Sequence, residues 1–218
     1  MEAKGAPCRW RGEPFEIWGG VGPRNRLTGK ELGRYAFSAL NTMGSEADLQ
    51  YLTGRILQLL HTRDPAMPDI EVFYGKLRRA NWRSWRQAEV LETLFDALWS
   101  DVLTTDKPQE DAAGLVCALG SAEETITPRL AQWAELGRSA AVRQLHEFVT
   151  RDCRTRSGLL VSVNAYWDET LPTYGEIVDW LNAGPVLRGV VEAFDRTEDA
   201  DLLELLTDLH GFLGPPRG

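Results

Sequence analysis

The sequence is poor in the residues that build most chemical sites. Its three cysteines, Cys8, Cys117 and Cys153, are widely spaced and form no CxxC pair, which indicates neither a secreted disulfide framework nor a zinc site. The three histidines, His61, His146 and His210, are as scattered, and His146-Glu147 is followed at position 150 by Thr150 rather than the second histidine of an H-E-x-x-H helix. Long apolar runs are missing too. Met1 to Gly20 has no basic start leading into an apolar stretch, and uncharged segments such as Ser157 to Trp167 fall far short of the roughly 20 residues that span a bilayer. These shortages predict a soluble protein of the reducing cytoplasm, with no membrane partner, no metal and no cofactor.

Positive charge is also in short supply. Twenty-four Lys and Arg stand against 32 Asp and Glu, a net charge of −8 and a pI near 5.0, which argues against nonspecific binding to nucleic acid or anionic lipid. The distribution is uneven, however. Asp195 to Asp208 holds six acids against Arg196 alone, whereas Lys76 to Arg86 is purely basic, and two such surfaces attract, within one molecule or between two.

What the chain has in quantity is helical periodicity. Residues 1–27, rich in Gly and Pro, read as an irregular arm pinned by Phe15, Ile17 and Trp18; residues 28–214 read as one helical domain, and 215–218 as a tail. Thr28-Gly29-Lys30-Glu31 is a capping box, followed by the stripe Leu32, Tyr35, Ala36, Ala39, Leu40 and Met43. Gly44 then suits a left-handed stop and Ser45 a cap for the next helix, a one-residue junction. Pro108 fits a first-turn position, Gly120-Ser121 a second stop and cap, and Gly137 the end of the stripe Ile126, Leu130, Trp133 and Leu136. Ser157 to Asp168 alternates like a strand through Val161, Val163, Ala165 and Trp167, yet also fits a helix; with no second strand to pair with it, helix is the expectation. The fold class expected is all-α, about ten helices in stacked antiparallel pairs, a HEAT-like α-solenoid with an irregular N-terminal arm. A weak internal echo supports repetition: Gly44-Ser45 and Gly120-Ser121 stand 76 residues apart, and Thr53-Gly54-Arg55-Ile56 matches Thr127-Pro128-Arg129-Leu130 at a shift of 74, near twice the length of helical-hairpin repeats, about 33 to 47 residues.

The densest feature is Gly75 to Leu103. Ser84-Trp85-Arg86-Gln87 has the form of a helix start, and Leu91, Leu94, Phe95, Leu98, Trp99 and Val102 recur behind it at three- and four-residue steps. Just before it, Lys76, Arg78, Arg79, Arg83 and Arg86 surround Trp82 and Trp85 with no acid between them. Guanidinium planes over indoles stack on bases or grip phosphates; the competing reading buries both indoles between helices and leaves the arginines to water or to nearby carboxylates. These seven residues are the candidate binding set, for a protein partner or for nucleic acid. Two other clusters read as structural: Asp199, Asp201 and Glu204 as a solvated helix start, and Gly19-Gly20-Val21-Gly22 as a turn, since no Lys-Ser/Thr follows it.

The run from Leu32 to Leu103 resembles an uncharacterised bacterial family of HEAT-type helical proteins that share an R-Y-A-x-x-A-L-T-T-W-G segment, an L-P-R-L-L-E-L segment and a G-K-L-x-x-A-x-W-x-x-W segment. Arg34-Tyr35-Ala36, Ala39-Leu40, Thr42 and Gly44 match the first; Arg55, Leu57 and Leu60 fit the second; Gly75-Lys76-Leu77, Ala80, Trp82 and Trp85 fit the third. Asn41 and Met43 depart from the first segment and Thr53-Gly54 from the second. The resemblance implies a helical-repeat fold and carries no activity with it.

The function expected is therefore non-enzymatic: a helical-repeat protein that binds a protein partner through a concave face, as an adaptor or an immunity-type inhibitor. The alternative is a nucleic-acid-binding or DNA glycosylase-like protein, with Trp82, Trp85, Arg79, Arg83 and Glu89 around a flipped base. That alternative rests on fold analogy, and the acidic balance opposes it.

Overall fold

The computed structural model describes residues 26–214 and, ahead of them, the backbone of two short strands. The anchors Phe15, Ile17 and Trp18, the Gly19–Gly22 turn, Cys8 and the tail 215–218 lie outside the described residues. The chain divides into two compact units, Met1–Trp85 and Arg86–Gly218. Among the described residues the structure is mostly helical, with ten α-helices, none long and apolar enough to cross a membrane.

In the first unit, β1 (Arg9–Trp10) pairs antiparallel with β2 (Glu13–Pro14), Arg9 opposite Pro14. Helix α1 (Gly29–Ser38) starts at the expected box: the Glu31 carboxylate accepts the Thr28 backbone N–H at 2.8 Å and the Thr28 hydroxyl at 2.7 Å. These bonds, the hydroxyl first, hold the Glu31 carboxyl below its ordinary range. The helix ends five residues earlier than its stripe suggests. Leu40 turns left-handed at φ 61°, and its N–H is taken by Met43 O at 3.0 Å. The expected one-residue junction is thus a loop over 39–45, with Gly44 (φ 73°) lying so close to the Tyr35 ring that a Cβ would meet it at 2.7 Å.

Helix α2 (Glu46–His61) is capped by Ser45 and Asp48, and α3 (Ile70–Arg79) follows the Pro65 to Pro68 break. Leu32, Tyr35 and Ala36 of α1, Leu49, Leu52 and Ile56 of α2, and Phe73, Tyr74 and Leu77 of α3 form the core.

The second unit contains α4 (Ala88–Thr104), α5 (Ala112–Ala122), α6 (Thr127–Ala134), α7 (Ser139–Asp152), the hairpin β3 (Cys153–Arg156) and β4 (Leu159–Ser162), then α8 (Pro172–Asn182), α9 (Pro185–Arg196) and α10 (Ala200–Leu213). Helix α7 is the hub, packed on α4, α5 and α10, while α9 packs on α6, α8 and α10. At the centre, Trp133 stacks on Trp180 with ring centroids 5.3 Å apart, meets the edge of Trp99 at 5.5 Å, and donates its indole N–H to Ala141 O at 3.1 Å. The expected stripes of α6 and α7, including Ile126, Leu130, Leu136, Val142, Leu145, Phe148 and Val149, are all buried.

Residues 157–168 are not a helix: Ser157 (φ 51°) and Gly158 (φ 81°) make a two-residue turn with Arg156 opposite Leu159, the geometry that matches strand twist in a tight hairpin. The missing partner strand lies upstream, in the polar run Cys153–Arg156. Helix α4 begins at Ala88 rather than beside Ser84, because Trp85 is extended (φ −80°, ψ 152°). Leu94 and Leu98 are only half-buried, and the inner face runs through Leu91, Phe95, Trp99 and Val102.

Pro108 precedes α5 altogether, and Asp111 caps that helix by accepting the Gly114 N–H at 2.7 Å. Gly120 and Ser121 lie inside α5 instead of ending it. Gly120 is required there by close approach, since a Cβ would fall 2.4 Å from the Trp167 ring. The internal echo therefore joins unlike positions: Gly44 sits in a loop and Gly120 in a helix, while Thr53 is mid-helix and Thr127 opens one.

Candidate functional site

The basic-aromatic segment is built by the end of α3 and one 3-10 turn, Trp82–Ser84. After Ala80 the chain cannot continue as a helix, because Asn81 adopts the left-handed conformation (φ 48°, ψ 51°), which asparagine tolerates better than most residues. Ser84 does not cap; its hydroxyl donates back to Asn81 O at 2.8 Å. Trp82 is 1% exposed and Trp85 9%, and the Trp85 indole N–H donates to Ala80 O at 3.1 Å. The G-K-L-x-x-A-x-W-x-x-W spacing thus reads physically as helix, left-handed stop and two indoles folded inward, one bonded to the carbonyl left unsatisfied at the helix end.

The cations go separate ways. Arg79 is exposed and donates to Leu40 O at 2.9 Å and to the Asn41 side chain, which secures the 39–45 loop. Arg83 is exposed and lies over the Trp82 ring, 4.7 Å from its centroid, a cation–π contact. Arg78 is half-buried. Arg86 is exposed and opens the second unit. Lys76 is only 4% exposed, and burial, with the Arg79 charge second, pushes its ammonium below the ordinary lysine range.

The scattered titratable residues take local partners. The His61 ring Nε2 lies 3.0 Å from the Tyr74 hydroxyl, and His146 Nε2 lies 3.3 Å from Asp208. Cys153 is buried, and burial together with the Asp152 charge pushes its thiol up to about 12, so it stays protonated at neutral pH and makes a poor nucleophile. No cluster of three His, Cys, Asp or Glu suited to a metal ion occurs among the described residues. Glu89, cast as a catalytic carboxylate in the glycosylase alternative, is an exposed first-turn residue of α4.

Two features were not found by sequence reasoning. A hollow of about 360 Å3 opens between α9 and α10, lined by Val191, Phe194 and Asp195 on one side and Leu206, Thr207 and His210 on the other. Val191 is 45% exposed, Phe194 44% and, further along α10, Phe212 51%. The available signal was the breadth of the apolar stripe, since on α9 Val191 and Phe194 extend it beyond the buried positions Val186, Val190 and Ala193. A second hollow, about 150 Å3, is polar, with Asp111, Gln144, Glu147, Arg151 and Asp152 around it. Burial and then the Asp111 charge raise the Asp152 carboxyl above its ordinary range.

No protein-family model matches the chain, and no curated protein or solved structure matches it.

Proposed function

We propose that the protein is a non-catalytic helical binding module that takes a protein partner. The observation that carries this reading is the face of α9 and α10, where Val191 and Phe194 stand exposed in a hollow closed on the other side by Leu206, Thr207 and His210, an arrangement that water disfavours and a protein surface relieves. A stacked-pair, HEAT-like architecture of the expected bacterial family belongs to the same proposal; the packing of α8 on α9 and of α9 on α10, neighbours in sequence, supports it. So does a cytoplasmic setting, with Cys117 and Cys153 buried and unbridged.

The nucleic-acid alternative draws on the exposed cations Arg79, Arg83 and Arg86. It is the weaker reading because Trp82 and Trp85, the rings on which bases would stack, are buried. A salt titration against single- and double-stranded DNA and RNA separates the two, since phosphate-driven affinity falls steeply with salt; no affinity at low salt removes the alternative.

The leading reading is tested by affinity capture of the full chain from its host, followed by reconstitution with the purified captured protein. A stable complex between the two pure components is the expected result. Failure of every captured protein to rebind, together with turnover of a small molecule by the pure chain, overturns it.

A further inference from the structure

We propose that the hollow between α9 and α10 receives a basic amphipathic helix, its apolar side chains seated against Val191, Phe194 and Leu206 and its lysines or arginines drawn by Asp195 and by the acidic surplus of the two helices. This inference rests on the protein-binding reading and specifies the partner's chemistry.

Two of the acids near the hollow are already engaged. Asp199 caps α10 by accepting the N–H groups of Asp201 and Leu202 at 3.0 and 3.2 Å, and Asp208 lies 3.3 Å from His146. Arg196, the lone cation between Asp195 and Asp208, donates to Glu135 O at 2.9 Å rather than to any of them. Glu192, Asp195, Glu198, Asp201 and Glu204 are all exposed, and among the described residues none of the five has a hydrogen-bonded or ionic partner through its side chain. Asp195 lines the hollow itself. Glu192 and Asp195 on α9, Glu198 in the following turn, and Asp201 and Glu204 on α10 outnumber the exposed Arg188 and Arg196, so a negative potential prevails around this helix pair where a ligand must dock.

That potential selects among occupants. A second copy of the chain, docking the same face in a two-fold pair, would bring two acid-rich helix pairs of a chain with net charge −8 together, and like charges there oppose association. An acidic peptide, a nucleic acid or an anionic membrane meets the same repulsion. The Lys76–Arg86 segment of another copy has the right charge, but its tryptophans are buried and it lacks exposed apolar anchors. A helix with apolar residues at i, i+3, i+4 and i+7 and basic residues elsewhere satisfies both the hollow and the charge of its two helices.

The test uses the full chain and a fluorescent helical peptide with leucine at those spacings and lysine elsewhere, against a glutamate-for-lysine peptide and a serine-for-leucine peptide. The expected result is saturable binding of the Leu/Lys peptide alone, weakened about tenfold or more by Phe194→Ser and weakened, with a shallower salt dependence, by Asp195→Lys. Both variants alter exposed positions, and circular dichroism confirms that they fold.

No binding of the Leu/Lys peptide, binding indifferent to Phe194→Ser, or equal binding of the glutamate peptide overturns the proposal. So does a dimer in light scattering that Phe194→Ser abolishes, which would assign the face to a second copy. A captured natural partner whose affinity Phe194→Ser leaves unchanged overturns the groove while leaving the protein-binding reading intact; the absence of any reconstituted partner strikes that reading instead.

Discussion

One carboxylate oxygen of Glu176, on α8, accepts the backbone N–H of Thr127, the first residue of α6, at 2.9 Å. The same oxygen takes the Ile126 N–H at 2.8 Å and the hydroxyls of Thr125 and Thr127 at 2.9 and 3.0 Å. Helix α6 has no cap of its own, since the residue at the N-cap position is Ile126. A side chain some fifty residues downstream satisfies its orphan donors and sets a negative charge at the positive end of its dipole.

Glu176→Ala is therefore expected to destabilise the protein by about 2 kcal/mol, above the usual loss of a neutral cap, because several bonds to a charged acceptor disappear together. Glu176→Gln, which keeps an acceptor oxygen and drops the charge, should lose less. Urea denaturation of the three proteins checks the order; equal stability of wild type and Glu176→Ala would show the contact to be inconsequential.

The pair Arg129 and Glu123 presents a different kind of electrostatics. Arg129 donates Nε to one Glu123 oxygen at 2.8 Å and a second guanidinium nitrogen to the other at 2.6 Å, with both side chains nearly buried. Asp96, at 3.1 Å and well exposed, completes the cluster. Arg129→Met leaves the Glu123 carboxylate buried without its cation, and a loss of about 3 kcal/mol is expected. Adding Glu123→Gln should restore part of it, because the stranded charge is gone. A double mutant less stable than Arg129→Met would contradict the pairing.

These two contacts show where sequence reading stops. The capping boxes at Thr28 and Ser45 and the stripe through Trp133 were legible because their partners lie within one or two helical turns. Glu176, by contrast, looks like one more surface acid of α8 until tertiary structure carries it to α6. The hairpin was missed for a related reason: Cys153–Arg156 alternates in no hydrophobic pattern, its pairing being set by the left-handed Ser157-Gly158 turn and by Asn182, whose side chain bonds both the N–H and the carbonyl of Leu160 at 2.9 and 2.8 Å. Within the candidate segment, composition identified the basic and aromatic residues but not their directions, which the left-handed Asn81 fixes by turning both indoles inward.

Trp85 offers a direct check on that account. Trp85→Phe keeps most of the buried ring but removes the N–H that meets Ala80 O, and about 1 kcal/mol should be lost. Trp82→Ala empties a fully buried site, for which about 3 to 5 kcal/mol is usual. If thermal denaturation showed Trp82→Ala to be neutral, the inward packing of the segment would be wrong and its rings would be available to a ligand.

Lys76 should oppose folding at neutral pH, because its charged form is disfavoured by burial and by Arg79. The sign follows from linkage: below the lowered native value the amine is charged in both states and the penalty is complete, and stability rises as pH climbs from that value toward the unfolded one, about 10.4. Lys76→Met, which keeps the apolar stem, is expected to be more stable than wild type at pH 7, with the gap narrowing in alkali. A variant that is less stable at pH 7 would mean that the ammonium has a favourable partner.

Asp152 gives the mirror case on the acid side. Its carboxyl is raised by burial first, then by Asp111 and Glu147, against the opposing pull of Arg151 and Arg154. Below the unfolded value, about 3.9, the group is protonated in both states and costs nothing; as pH rises past it, the unfolded chain releases its proton first and stability falls until the native carboxyl ionises as well. Asp152→Asn removes that loss while preserving shape, so it should exceed wild type in stability at pH 7 and converge with it below about pH 4. Because Asp111 also caps α5, Asp111→Asn separates the two roles: it retains a capping oxygen yet lifts the charge that faces Asp152, and it should reproduce part of the Asp152→Asn gain. Unchanged pH dependence in both variants, measured by denaturation across pH 3 to 8, would show that the two carboxylates do not sense each other.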